Sequence, residues 1–129
     1  MARTPQPVTD AELSILKVLW ELQTASVPEL TERIYAEETL ATKATVQKLL
    51  GRLEAKHCVT RNRQTWPHQF SAAVERDVLI ARQLQSTAAK LCHGEMHPLL
   101  TSLVKTSELT AEDRKSLRGL LDELDREKE

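Results

Sequence analysis

Aromatic residues are scarce in this 129-residue chain, only 3% of it, so its core must be mostly aliphatic. Glycine appears three times, and Ser, His and Asp occur without a nucleophile elbow or a glycine-rich loop. An enzyme is not expected. The two cysteines, Cys58 and Cys92, form no CxxC or other metal-ligand spacing, which predicts no cofactor and a reducing, cytoplasmic setting. No window approaches the roughly 18 apolar residues of a membrane span. The opening MARTPQPV lacks the apolar core of a signal peptide. Net charge is also almost missing, at -1.

What is present is unevenly placed. The length allows one or two small domains, and 40% hydrophobic content supports a folded core. Residues 41–71 carry six basic residues (Lys43, Lys48, Arg52, Lys56, Arg61, Arg63) against one acid, Glu54, a local charge of +5. Residues 108–129 hold eight acids and five bases, a local charge of -3. This asymmetry fits one half that faces nucleic acid and another that does not touch phosphates.

Periodicity orders the chain into helix, helix, helix, hairpin, then three more helices. After an extended tail over residues 1–8, Thr9 and Glu12 read as a capping box, with Leu13, Leu16, Leu19 and Trp20 inward. Gln23 to Ala25 is a turn. Ser26 and Glu29 repeat the capping box for a second helix ending near Tyr35, with Pro28 tolerated in its first turn. Thr42 is the expected N-cap of the third helix, whose Val46, Leu49, Leu50 and Leu53 fall at i, i+3, i+4, i+7. Cys58–Asn62 and His68–Ser71 are β-prone and flank a turn. Three helices with a compact turn before the third form a helix-turn-helix, and a hairpin following it makes the motif winged. The predicted class is mainly α: a winged helix-turn-helix over 1–72 and a helical domain over 73–129. Those last 57 residues have no aromatic, and Gly94 splits their helical pattern. Helices so thin bury little alone, so pairing with a second copy is expected.

The third helix carries the candidate chemistry. Thr45, Lys48, Arg52 and Lys56 share one side, spaced by three, four and four. A major groove about 12 Å wide admits one helix, and base edges there distinguish all four pairs. Lys48 and Arg52 suit guanine acceptors or phosphates, Gln47 an adenine edge, and Thr45 a base, a phosphate or a thymine methyl. Lys43, beside free helix N–H groups, suits a phosphate. Ala44, Gly51 and Ala55 are small and outward, allowing close approach to a duplex. Arg61 and Arg63 lie where a wing meets phosphates. Trp66 either packs back on the body or contacts nucleic acid, the former being favoured. Arg3 is either a minor-groove arm or part of an idle tail. Cys92, His93 and His97 make only a weak metal constellation, because Gly94 and Pro98 break the helix that would align the histidines and no fourth ligand is evident. His57 and Cys58 are adjacent, with nothing to aim a base at the thiol.

The segments TDAELSILKVLW (9–20), ATVQKLLGRLEAKHCVTR (44–61) and HPLLTSLVKTSELTAEDRKSLRGLLDEL (97–124) resemble the penicillinase-repressor family, the BlaI/MecI-type transcriptional repressors, over nearly the whole chain. The resemblance implies a winged-helix DNA-binding domain, a helical C-terminal dimerisation domain and repression through a palindromic operator. It maps the recognition positions onto Thr42, Lys43, Thr45, Lys48 and Arg52. It also implies relief by a membrane sensor metalloprotease system, with the candidate cut at Ser102–Leu103 where the antibiotic-responsive members have Asn–Phe. His57 stands where the family often has glycine, a position at which any other residue strains a helix end. The wing reads Gln64-Thr65-Trp66-Pro67 rather than Gly, Arg and Tyr. The paired CxC motifs of the copper-responsive branch are missing, which disfavours copper sensing. Two other readings stay open: a winged-helix module whose stripe meets an acidic protein, and a metal- or thiol-sensing regulator using Cys92 and His93.

Overall fold

The first helix, α1, runs Asp10–Leu22, and its sequence sets both ends. Thr9 is the N-cap, its hydroxyl accepting from the Glu12 N–H at 3.2 Å. The expected reciprocal box is one-sided: the Glu12 carboxylate accepts from the Thr9 hydroxyl and from Lys56 Nζ. The competing ammonium draws it inward. The computed structural model describes residues 7–106 and 108–128; the proposed arm residue Arg3 lies outside them. The end of the expected extended tail is tied down: the Pro7 carbonyl accepts from Lys56, and Val8 packs on the core.

Helix α2 (Val27–Ile34) starts at the full Ser26–Glu29 capping box, with Pro28 in its first turn. Helix α3 spans Leu40–Ala55, starting three residues earlier than the expected Thr42 cap implies. Thr39 is the actual N-cap. Thr39 and Thr42 are three residues apart, so each side chain accepts the other's backbone N–H, at 2.8 and 3.1 Å. At its far end, the His57 N–H donates to the Glu54 carbonyl and the Cys58 N–H to the Leu53 carbonyl. That pair of bonds is a Schellman motif, and it forces His57 to φ 61°. The strain expected of a non-glycine residue there is present.

Strands β1 (Val59–Asn62) and β2 (Gln69–Ala72) pair antiparallel, Val59 opposite Ala72 and Asn62 opposite Gln69. The segment read as a simple turn before α2 adds a third rung. Ala25 and Phe70 exchange both backbone hydrogen bonds, at 3.0 and 2.8 Å. One bridged residue has no alternating pattern to announce it. Around this frame, Ile15, Leu16 and Leu19 of α1, Leu30 of α2, and Val46, Leu49, Leu50 and Leu53 of α3 close an aliphatic core with Phe70. Trp20 is half-buried and its indole N–H donates to the Val74 carbonyl at 2.9 Å. The result is a winged helix, as the periodicity predicted.

Three more helices follow: α4 (Arg76–Leu91), α5 (His97–Thr106) and α6 (Ala111–Glu127). The chain divides into two compact units, one ending at Gln83 and the other starting at Leu84, so the division falls inside α4. His93 and Gly94 take positive φ and end α4, with the Gly94 N–H donating to the Ala88 carbonyl. Thr110 and Asp113 form the expected capping box on α6. Neither α5 nor α6 has a buried residue, while Leu100, Leu103, Val104, Leu120, Leu121 and Leu124 are exposed.

Candidate nucleic-acid interface

Helix α3 has two chemically distinct sides. Val46, Leu49, Leu50 and Leu53 are buried. Ala44, Thr45, Gln47, Lys48, Gly51, Arg52 and Ala55 are exposed. The helical period puts Thr45, Lys48 and Arg52 in a row. Among the described residues, Lys48 and Arg52 have no ion-pair partner, so their charges face solvent. A Cβ built on Gly51 meets nothing within 4 Å. Packing within the protein therefore does not require glycine there; it leaves a low spot beside the two cations.

Other members of the expected set are already engaged. The Thr42 hydroxyl accepts from the Thr39 N–H and lies 3.0 Å from the carbonyls of Glu37 and Thr39. It serves the helix cap. Thr45 donates to the Ala41 carbonyl at 3.0 Å, which leaves its lone pairs and methyl outward. Lys43 is ion-paired with Glu38 at 3.2 Å.

Lys56 departs from the stripe altogether. Its Nζ lies 2.7 Å from both carboxylate oxygens of Glu12 and 2.8 Å from the Pro7 carbonyl. Its side chain is 13% exposed and that of Glu12 is 1%. Position 56 is the C-cap of α3, where the helical period stops. From there the side chain reaches back to α1 instead of continuing the outward row.

The wing holds Arg61 and Arg63, both turned toward α3. Arg61 Nη2 donates to Glu54 Oε1, and its guanidinium lies 4.8 Å from the Phe70 ring centroid. Arg63 is 67% exposed and 3.8 Å from the other Glu54 oxygen. Trp66 does not pack back on the body, the favoured expectation. It is 88% exposed at the wing tip, with the His68 ring edge-on to it at 5.1 Å. The short hairpin carries Trp66 away from a core already closed by Phe70. The sequence marks Glu12 as a cap alone and offers Glu54 no evident partner. The isolation of Glu54 among six cations was the available signal; nothing local marks the pairing of Glu12 with a lysine 44 positions away.

Ser102 and Leu103 are exposed within α5, and the Ser102 carbonyl accepts from the Thr106 hydroxyl. Among the described residues, no group of three or more His, Cys, Asp or Glu could hold a metal ion. No helix there is long and apolar enough to cross a membrane.

Known proteins resemble this chain along most of its length. A family model described as penicillinase repressor matches residues 8–123. The penicillinase repressor of Staphylococcus aureus is 23% identical over 124 residues, 96% of this chain and 98% of that protein. The penicillinase repressor of Bacillus licheniformis is 23% identical over 95% of this chain and 94% of its own. The methicillin resistance regulatory protein MecI of Staphylococcus aureus strain N315 is 22% identical over 88% of this chain and 92% of its own.

Proposed function

Since the chain belongs to the penicillinase repressor family, a family of transcriptional repressors and not of enzymes, we propose that it acts as a homodimeric repressor of a palindromic operator. In this reading residues 1–72 bind DNA and residues 73–129 dimerise. Helix α3 enters the major groove, where Lys48, Arg52, Gln47 and Thr45 meet base edges and flanking phosphates. Thr42 and Lys43 act at the helix start, by holding the cap and by offering an exchangeable charge. Arg61 and Arg63 align the wing beside the phosphates. The two copies place their recognition helices about 34 Å apart, one helical turn of duplex.

The observation that carries this reading is the exposed row on α3. Two unpaired cations stand beside Gln47 and a glycine notch, on a helix whose other side is locked into the core. The exposed leucines of α5 and α6 support a second copy as their cover. Relief by a membrane sensor metalloprotease system rests on family membership. A protease acting at Ser102–Leu103 would first have to unwind α5, because proteases bind extended chain. The setting is cytoplasmic, where the operator is.

The test is a footprint of the purified protein on promoter fragments from its own genomic neighbourhood. The expected result is protection of a site with two related halves, weakening steeply with salt as counterions return to the phosphates. Arg52→Ala and Lys48→Ala should each weaken operator binding by about 1–3 kcal/mol if they read bases. Failure to bind every fragment at low salt would defeat the reading. It would favour a winged-helix protein-interaction module with an acidic partner.

A further inference from the structure

We infer that Glu54 is a positioning residue that braces the wing through Arg61 and acts as an internal stand-in for a DNA phosphate toward Arg63, holding it until the duplex takes its place. The inference rests on the reading that α3 and the wing face DNA. It explains why the wing's cations point inward.

Glu54 is the one acid among residues 41–71, and it lies in the last turn of α3. Its two oxygens divide the wing between them. Oε1 accepts from Arg61 Nη2, and Oε2 lies 3.8 Å from Arg63 Nη2. The two arginines differ in how firmly they are held. Arg61 is about three-quarters covered, with its guanidinium over the Phe70 ring at 4.8 Å. It braces the wing against α3. Arg63 is 67% exposed and beyond hydrogen-bond length. A carboxylate so placed attracts Arg63 only weakly, because exposed pairs at that range are worth little. A phosphate arriving beside the wing offers Arg63 a bidentate partner and releases counterions. Arg63 is therefore the exchangeable member and Arg61 the fixed one. Glu54 sets the wing angle through Arg61 and limits phosphate affinity through Arg63. Phosphate contacts carry no sequence information, so this restraint favours base reading by α3 over indiscriminate binding.

The test compares wild type, Glu54→Gln, Arg63→Gln and the double variant on one operator fragment across a salt series, with thermal melts alongside. Glu54→Gln should tighten binding about two- to fivefold at about 0.1 M salt, the most that a weak exposed pair can withhold. Arg63→Gln should weaken binding and make the dependence of log affinity on log salt shallower by about 0.9, one phosphate contact. In the double variant the gain from Glu54→Gln should vanish. An unchanged slope in Arg63→Gln would overturn the inference. So would a gain that survives loss of Arg63, since it would then come from removing a repulsive charge. A lowered melting temperature in Glu54→Gln with unchanged affinity marks a purely structural role, and that too defeats it. If wild type binds no DNA at all, the underlying reading fails and this one with it; if wild type binds and the variants behave alike, only this one fails.

Discussion

Glu12 is buried, and both of its oxygens face the ammonium of Lys56 at 2.7 Å. Removing one member of such a pair strands the other in a dry setting. Lys56→Met should therefore destabilise the fold by about 3–5 kcal/mol, as read from denaturant midpoints. A second change, Glu12→Leu, should recover much of that loss, because an apolar pair tolerates the site better than a lone charge. If Lys56→Met melts like wild type, the pair contributes nothing. Cys58 behaves differently. Burial pushes its thiol above its ordinary value of 9.0, with Arg82 and Lys56 opposing and Glu12 adding to the rise. The neutral thiol is thus favoured in the folded state. Its contribution to stability is complete below pH 9 and is lost as pH climbs through the raised value, since the unfolded thiol ionises first. Alkylation at pH 8 should label the half-buried Cys92 while sparing Cys58, and denaturation should equalise the two. Rapid labelling of native Cys58 would contradict its burial.

At the scale of elements, α3 combines an anchored side with a side kept low. Gly51 lies mid-helix with open space around its missing Cβ. Alanine there should raise stability by about 1 kcal/mol, because glycine is the poorer helix former. Gly51→Leu should also fold, yet lose operator affinity by lifting the helix off the duplex. Equal operator affinity for wild type and the leucine variant would show that no close approach occurs at this position. This helix was legible in the sequence because its apolar spacing is regular: Val46, Leu49, Leu50 and Leu53 all proved buried. Its ends were less so. Thr39 and Thr42 are equally good capping residues by type, and only the reciprocal hydrogen bonds decide between them. Lys56 looked like one more surface cation, because no local pattern reports that α1 supplies a buried carboxylate. Trp66 was misread for a related reason. A large aromatic usually finds cover, but the wing hairpin is too short to bring it back to a core that Phe70 already fills.

The molecule as a whole divides its apolar surface unequally between its two units. Up to Gln83 the leucines are buried or half-buried, Leu40 excepted; from Leu84 onward most are exposed, and Ala88 is the one buried hydrophobic described there. Helices with no buried residue have little to offset the loss of chain entropy on ordering. In the proposed dimer, association supplies that stability, and Leu120, Leu121 and Leu124 on α6 offer a continuous apolar row for it. On the same reading, association also governs DNA binding. Two joined recognition helices make the second half-site contact intramolecular, worth roughly 10²–10⁴ in affinity. Leu121→Glu would place a charge in that row. Sedimentation at micromolar concentration should find wild type at twice the chain mass and the variant at the chain mass. Operator affinity should fall by about the avidity factor, while affinity for a single half-site should hardly change. Trp20, hydrogen-bonded to Val74 inside the first unit, should keep its emission, showing that the winged helix remains folded. A wild-type chain that sediments as a monomer yet protects both half-sites would place the second contact elsewhere than in a paired C-terminal half.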